Sequence, residues 1–362
     1  MRYMRTIITS VMIFAIILTN CCALAADMAI HDSTVEQCML SAIKSGTLEH
    51  LTIAELRHAC STATGREEIS QNSSVSTGQK ELATAAIEHT EAIIPGPLQL
   101  RIDDELQTQY LPFSLTSHRR NYLLPFTYRS TTNGAPFEVD NEDVDHVEVK
   151  FQFSFKFPIW NNILGSADLW GAYTNISFWQ AYNSKHSSPF RETNHEPEMF
   201  LEFAGNKDFF GISNTSNQVG IVHQSNGQHG SRSRSWNRVY LDIALEHENL
   251  VLNIKPWLRI PESEKTSTDD SSGDDNPNIE RYLGYGEMTA GYKWNQQLFS
   301  VMLRNNLRAN DNKGAIQLDW TFPMTRRLKG YIQYFNGYGE SLIDYDCSVN
   351  RFGIGIVLTD PL

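Results

Sequence analysis

A serine, a histidine and an asparagine within residues 219–238 have the types and the spacing that hydrolysis of an ester would need. His223 and Ser225 are two residues apart, and Asn237 follows twelve residues after the serine. A hydroxyl that is activated by an imidazole, itself oriented by a third polar group, can attack an ester carbonyl. In that chemistry Ser225 is the nucleophile, His223 its general base and Asn237 the group that orients the base.

The alternation of side chains places all three residues on one face of two neighbouring strands. Residues two apart in a strand share a face, so His223 and Ser225 continue the apolar series of Val219 and Ile221. Asn237 opens the equivalent apolar series of the next strand. Polar groups on a lipid-facing side are costly unless they serve a function. The same residue types also occur at an ordinary junction of strand and loop, and spacing alone does not separate the two interpretations.

From about residue 112 onward the chain is patterned as membrane-spanning β-strands. Residues 146–157 alternate strictly, with valine and phenylalanine on one face and charged or polar side chains on the other. A tilted membrane strand needs about 9 to 11 residues. Similar segments recur about every 20 residues and leave room for about 12 strands. The pattern predicts an all-β fold, a 12-stranded antiparallel transmembrane β-barrel.

Loops and aromatic residues fit the same architecture. The polar stretch 262–278 predicts a long loop, whereas short turns such as Asn161-Asn162 would lie on the other rim. Long loops face outward in bacterial barrels, which sets the orientation. Aromatic residues near the predicted strand ends would form girdles at the membrane interfaces, namely Trp160, Trp179, Trp257, Tyr292 and Trp294.

Residues 1–25 have the order of features that a secretory signal peptide requires. Arg2 and Arg5 precede a short apolar run over 7–18, and small residues precede Ala26. This order predicts export and cleavage. No later segment is long and apolar enough to cross a bilayer as a helix, so insertion in a membrane would require a closed barrel. The expected location is the bacterial outer membrane.

The segment before the barrel divides into two parts. Residues 26–63 predict a small N-terminal helical hairpin with two capping-box spacings. Cys38 and Cys60 would face the seam of this hairpin and could form a disulfide in an oxidising compartment. Residues 64–111 are predicted to be a linker, and residues 112–362 form the predicted barrel domain.

The charged residues argue against a nucleic-acid partner and predict how the barrel interior is filled. The formal net charge is -12 and no basic stripe is visible, so a nucleic-acid partner is not expected. The short basic cluster at 232–238 suits a loop rim that faces anionic lipid headgroups. Polar residues that would face inward carry both signs of charge and predict a lumen filled by ion pairs: Glu148, Lys150, Gln152, Arg238, Asp242, Glu287 and Asp319.

Several longer motifs, in the same order, resemble the outer-membrane phospholipase A family. The segment HQSNG, followed by SRSWNR, resembles that family's active-site signature. The other matching segments are PFSLTSHRRNYLLPFTY (112–128), VKFQFSFKFPIW (149–160), NSKHSSPFRETNHEPEMFL (183–201), DDNPNIERYLGY (274–285) and GYGESLIDYD (337–346). The resemblance runs from about residue 112 to the end of the chain.

The resemblance implies a calcium-dependent enzyme that hydrolyses phospholipid acyl esters and is activated by homodimerisation. The implied activities are phospholipase A1, phospholipase A2 and lysophospholipase. The family roles fall on Ser225 as nucleophile, His223 as base and Asn237 as orienting group. The backbone N–H of Gly227, together with a calcium-bound water, would form the oxyanion hole, and such donors are usually a large part of catalysis.

The resemblance also implies a set of calcium ligands. They are Ser233 and the carbonyl of Gln228 on one subunit and the carbonyl of Ser187 on its partner, and oxygen ligands suit calcium. Asp275 matches an acidic residue of a second, monomer-type calcium site. Gln228 stands where the family has arginine, which a carbonyl ligand tolerates. Gly230 stands where the family has aspartate, which counts against the monomer-type site.

The alternative is a non-enzymatic outer-membrane barrel, either porin-like or structural, in which the site has decayed. Inward-facing charges of both signs favour a barrel that is closed to solutes. The preserved spacing of the three candidate residues favours the enzyme over the decayed site.

Overall fold

The computed structural model describes residues 96–108, 115–163, 165–267, 273–325, 328–360 and 362. The predicted signal peptide, the hairpin 26–63 with its Cys38–Cys60 disulfide and most of the predicted linker lie outside the described residues. Apart from residues 162–166, the described residues belong to one compact unit.

In the described residues thirteen strands form one sheet. The strands are β1 (Thr116–Ser117), β2 (Asn121–Arg129), β3 (Val147–Ile163), β4 (Ala167–Trp179), β5 (Phe190–Phe209), β6 (Ile212–Ser225), β7 (Ser235–His247), β8 (Leu250–Ile260), β9 (Gly286–Trp294), β10 (Gln297–Asn305), β11 (Gly314–Pro323), β12 (Lys329–Gly337) and β13 (Val349–Thr359). The helices are α1 (Pro97–Thr108) and α2 (Ile279–Leu283), with short 3-10 turns at Ala135–Phe137, Asn141–Asp143, Ser184–His186 and Gly230–Arg232. In the described part of the chain, no helix combines the length and the apolar character needed to span a membrane.

The sheet closes into a barrel of twelve strands. Strand β1 and strand β2 both pair with β3 and act as two parts of one strand. Each later strand pairs antiparallel with the next, β13 pairs with β2, and β3 pairs with β4. The prediction of a 12-stranded antiparallel β-barrel is therefore confirmed.

Strand β3 shows how the sequence pattern sorts side chains between lumen and lipid. Glu148 and Lys150 are buried inside, whereas Phe153 and Phe157 are exposed on the outer face. The period of two in the sequence is the period of the pleat, so each strand presents an apolar face to the outside. Leu258, Phe299, Leu318 and Ile354 are among the many large apolar side chains exposed in this way.

The lumen is filled by paired charges. Glu148 accepts hydrogen bonds from Arg191 at 2.9 Å and from Arg351 at 2.7 Å. Lys150 donates to Glu340 at 2.9 Å. Buried charges are tolerated when they are paired and hydrogen-bonded in this manner. Among the residues predicted to face inward, ion pairs are formed by Glu148, Lys150, Asp242 and Asp319. The lumen retains a cavity of about 420 Å³.

The predicted aromatic girdle is wrong at one position, Trp257. Trp160 and Trp294 are exposed near strand ends, as an interface residue should be. Trp257 instead faces the lumen, where it is 4% exposed and its indole N–H donates to the carbonyl of Gly284 at 3.0 Å. It sits between Pro256 and Leu258, and the alternation along β8 makes those two the outward-facing residues.

Helix α1 lies in the range that the sequence predicted to be a linker. Pro97 occupies the first helical position, which its fixed φ favours. The backbone N–H of Leu98 donates to Glu246 at 2.8 Å, and Glu105 pairs with Lys156 of β3 at 2.7 Å. These contacts anchor the helix at the barrel end that carries the short turns.

The two rims of the barrel differ in the length of their connections. The connections β5–β6, β7–β8 and β9–β10 are only two residues long, at 210–211, 248–249 and 295–296. The opposite rim carries the longer loops, including 226–234 between β6 and β7 and 261–285 between β8 and β9. The candidate catalytic residues lie at this long-loop rim.

Candidate active site

His223 and Asn237 are direct partners across strands β6 and β7. Their Cα atoms are paired in the antiparallel register, and Ser225 pairs with Ser235 two positions further on. Their neighbours in phase on β6 point outward, because Ile221 is exposed whereas Val222 is buried. The register therefore brings His223 and Asn237 together on the outer face, with Ser225 on the same face.

A hydrogen bond of 2.8 Å joins His223 Nδ1 to Asn237 Oδ1. On its other side Asn237 donates from Nδ2 to Glu262 Oε1, also at 2.8 Å. A carboxylate only accepts hydrogen bonds, so the amide must turn its NH₂ group toward Glu262 and its oxygen toward the imidazole. His223 Nδ1 must then carry the hydrogen, which leaves Nε2 free to accept a proton.

Ser225 is half-buried at the last position of β6. Its Cα partners are His195 on β5 and Ser235 on β7. The hydrogen bonds of the described residues join His223 to Asn237 but do not include one from the Ser225 hydroxyl to the imidazole. Such bonds are often long in ligand-free structures and tighten when a substrate is bound.

Asn226 organises the loop that carries Gly227. Its side-chain oxygen accepts from the backbone N–H of Gln228 at 3.3 Å and of Arg234 at 3.0 Å. Gly227 is exposed and has φ +64°, a left-handed conformation that favours glycine. Its backbone N–H belongs to the turn that immediately follows Ser225, which is where an oxyanion donor would have to lie.

His195 is a second histidine beside the site that sequence reasoning missed. Its Nδ1 lies 2.6 Å from the hydroxyl of Tyr173 and 3.5 Å from Asn175 Nδ2. An amide nitrogen only donates, so Nδ1 is an acceptor and Nε2 carries the hydrogen. That Nε2 is 3.8 Å from where a Cβ on Gly227 would lie. The sequence signal was its alternation with Thr193 and Pro197, but only the β5–β6 register places it next to Ser225.

The predicted calcium ligands are brought together only in part. Ser233 Oγ donates to Asp275 Oδ2 at 2.8 Å, and Ser235 Oγ donates to the same oxygen at 3.0 Å. Gln228 is exposed in the same loop as Ser233. Ser187 lies in a different loop, between β4 and β5, with φ +57°. The predicted ligand set, with Ser187 from one chain and Ser233 from another, would therefore form only where two protomers meet.

Lys265 occupies the other side of Asp275. Its ammonium group forms an ion pair with Asp275 Oδ1, in the long loop that follows β8. Gly230 has φ +63° and contributes no carboxylate. Within the described ranges, no group of three or more histidine, cysteine, aspartate or glutamate side chains is arranged to hold a metal ion.

The closed antiparallel barrel, with its apolar outer face and charged lumen, defines the class of outer-membrane β-barrel proteins. Similarity to known proteins narrows that class. A family model for phospholipase A1 matches residues 98–358. The chain belongs to the phospholipase A1 family, which consists of carboxylic ester hydrolases of the outer membrane. The match starts upstream of the predicted barrel boundary at residue 112, and it includes nearly all of α1.

Curated relatives align with about three quarters of this chain. Phospholipase A1 of Klebsiella pneumoniae is 38% identical over 282 residues, 77% of this chain and 93% of that protein. Phospholipase A1 of Escherichia coli is 38% identical over 262 residues, which is 72% of this chain and 86% of the relative.

Solved structures agree with the fold. The Salmonella typhi outer membrane phospholipase, a dimer with bound calcium, aligns with a TM-score of 0.65 at 38% identity, over 72% of this chain and 98% of that one. An active-site mutant of the Escherichia coli enzyme, in which an asparagine is replaced by alanine, aligns with a TM-score of 0.66 at 37% identity, over 74% and 100% of the two chains.

Proposed function

We propose that this protein hydrolyses the acyl esters of phospholipids in the outer membrane, acting as phospholipase A1, phospholipase A2 and lysophospholipase. The observation that carries the proposal is the hydrogen bond of 2.8 Å between His223 and Asn237. It lies on the outer face of the barrel and beside Ser225. A site in this position meets an ester that is still embedded in its bilayer.

The proposed reaction has two stages. His223 Nε2 accepts the proton of Ser225 while the serine oxygen attacks the ester carbonyl. The imidazolium then donates that proton to the leaving glycerol oxygen, the carbon–oxygen bond breaks, and an acyl-serine remains. A water molecule, deprotonated by His223, attacks this ester. The imidazolium then returns that proton to Ser225 Oγ as the acyl–serine bond breaks, which releases the fatty acid and regenerates the free hydroxyl. Asn237 keeps the imidazole in the tautomer that both stages need.

Negative charge develops on the carbonyl oxygen during each attack. The backbone N–H of Gly227 is the donor proposed to bind it. His195 Nε2–H, which lies beside Gly227, is a further donor at this edge of the site. Removing one such donor typically reduces kcat on the order of a hundredfold.

Calcium and a second subunit belong to the proposal. Ser233 Oγ, the carboxylate of Asp275 and the carbonyl of Gln228 offer oxygen donors, which is the ligand type that calcium takes. Ser233 and the carbonyl of Gln228 would hold the ion on one protomer, together with the carbonyl of Ser187 of the partner subunit, whereas Asp275 would belong to the second, monomer-type site. When bound, the ion would supply electrostatic stabilisation of the developing negative charge. Support comes from the Salmonella typhi enzyme, which is a dimer with bound calcium.

A porin-like or structural role has less support. The lumen contains α1 and paired charges such as those of Glu148, Arg191 and Arg351. Membership of a family of ester hydrolases also favours catalysis.

The direct test is fatty-acid release by refolded protein in mixed micelles of phospholipid and detergent. The Ser225→Ala variant should lose at least about a thousandfold of activity, because the nucleophile is removed. Ser213→Ala is the matched control, since Ser213 lies on the same strand at the opposite rim and should not change the rate. Full release by Ser225→Ala would refute the assigned nucleophile.

A further inference from the structure

The geometry points to Glu262 as a positioning residue that fixes the Asn237 amide, and through it the tautomer of His223. This inference rests on the proposed function, because it assigns Glu262 a role behind the proposed triad. The spacing of His223, Ser225 and Asn237 in the sequence did not predict this role of Glu262.

The contact follows from the strand register. Asn237 on β7 is the Cα partner of Ile260, the last residue of β8. Leu258 and Ile260 are exposed on the outer face, and Glu262 continues their alternation just beyond the strand. Its carboxylate accepts from Asn237 Nδ2 at 2.8 Å, and the side chain is half-buried.

A primary amide has two orientations that differ by a flip of its oxygen and nitrogen. In one, Oδ1 accepts from His223 Nδ1–H, and Nε2 is free to take the serine proton. In the flipped orientation the NH₂ group faces Nδ1, which must then be unprotonated, so the hydrogen sits on Nε2 and blocks the base. Two nearly isosteric orientations therefore differ completely in their ability to support proton transfer.

Glu262 decides between the two orientations. Its carboxylate accepts hydrogen bonds and donates none, so the flipped amide would set an oxygen against an oxygen. The productive orientation instead satisfies Nδ2 with a charge-assisted hydrogen bond, which is stronger than a neutral one.

Kinetics of five variants test the role. Glu262→Ala should lower kcat by about tenfold, the effect of losing a hydrogen bond to a charged group, and should leave KM unchanged. Glu262→Gln keeps an acceptor but not the charge, and should lose about threefold. In the Asn237→Ala background, Glu262→Ala should cause no further loss, because the residue acts through the asparagine. Glu264→Gln, an exposed glutamate in the same loop, is the matched control.

Calcium dependence separates the role from a general effect on the loop. Lys265 and Asp275 lie in the same connection, so a collapsed loop would shift the calcium concentration that gives half-maximal activity. That concentration should be the same for Glu262→Ala and the wild type. A kcat within twofold of wild type, a loss that is additive with Asn237→Ala, or a shifted calcium midpoint would each overturn the role.

Failure of the proposed function would look different. If the wild type released no fatty acid, or if Ser225→Ala were active, the triad itself would be wrong. If the wild type is active, Ser225→Ala is inactive and Glu262→Ala matches the wild type, only the role of Glu262 is refuted.

Discussion

At the scale of single residues, the site raises the question of why an asparagine stands behind the histidine where many hydrolases use a carboxylate. Asn237 has an acceptor for His223 Nδ1 and a donor for Glu262. An aspartate would offer two acceptors, and one of them would face another carboxylate. Asparagine can therefore form a hydrogen bond with Glu262 as well as with His223, which aspartate could not do.

The first prediction concerns Asn237→Asp. Two adjacent carboxylates repel each other and disfavour a common ionised state, so kcat at neutral pH should fall by about tenfold. Adding Glu262→Gln to Asn237→Asp restores a donor opposite the new carboxylate and should recover most of the activity. Steady-state hydrolysis by the single variant, the double variant and the wild type checks this. Equal activity of the single and double variants would show that the two side chains do not interact.

A second prediction at this scale concerns Lys265. Its ammonium group pairs with Asp275, and a calcium ion at that carboxylate would have to displace it. Lys265→Met should therefore strengthen calcium binding by about tenfold, because a like charge is removed from the site. Isothermal titration with calcium measures the affinity without reference to activity. Lys313→Met is the control, since Lys313 pairs with Asp311 at 3.5 Å in another loop. Unchanged or weaker binding by Lys265→Met would show that the ion does not compete with the lysine.

At the scale of elements, alternation predicted which face of a strand each side chain occupies. It placed His223, Ser225 and Asn237 on the outside and Glu148 inside, because the pleat enforces a period of two. The girdle prediction was wrong at Trp257 because that residue was assigned from its position near the strand end and not from alternation, which places its neighbours Pro256 and Leu258 outward. Proximity to a strand end says nothing about which face a residue occupies.

Contacts between elements were less accessible from the sequence. Glu262, Lys265 and His195 reach the site through the β5–β6 and β7–β8 registers and through a long loop. Register depends on bulges, such as the shift between Ala204 and Lys207 on β5, that have no clear sequence signature. The outward face of the predicted triad followed from local alternation and its roles from the family resemblance, whereas its supporting residues needed the assembled sheet.

Helix α1 gives a prediction at the same scale. The carboxylate of Glu246 accepts from the first backbone N–H groups of the helix, at 2.8 Å from Leu98 and 3.3 Å from Gln99. Glu246→Ala should destabilise the docked helix by about 1 kcal/mol, the usual effect of losing a helix cap. Faster proteolysis between α1 and β1 is the expected readout in detergent. Glu142→Ala, at an exposed glutamate of a loop on the other rim, should not change the cleavage rate. Identical rates for both variants would mean that Glu246 does not hold the helix.

At the scale of the whole molecule, the barrel is a closed sheet that carries the candidate catalytic residues on its outer face. Its lumen is occupied by ion pairs, by α1 at one end and by residues such as Leu342 that pack in a buried cluster with Trp236. The cavity of about 420 Å³ is lined by side chains of both charges. A lumen filled in this way is poorly suited to passing solutes.

The filled lumen predicts weak conductance. Protein reconstituted in a planar bilayer should show no steady channels of porin size, because opening one would require several buried ion pairs to break. The same preparation should still release fatty acids from the lipid. Stable conductance steps in protein without hydrolytic activity would support the porin-like alternative.

The central claim is that Ser225, activated by His223, is a nucleophile exposed to lipid on the outer face. A lipophilic fluorophosphonate, followed by mass spectrometry of the peptides, tests it directly, because such a probe phosphonylates only an activated serine. The expected result is one modified residue, Ser225, with inactivation in proportion to labelling and no labelling of the His223→Ala variant. Inactivation with the probe on another residue, or equal labelling of Ser225 without His223, would contradict the claim.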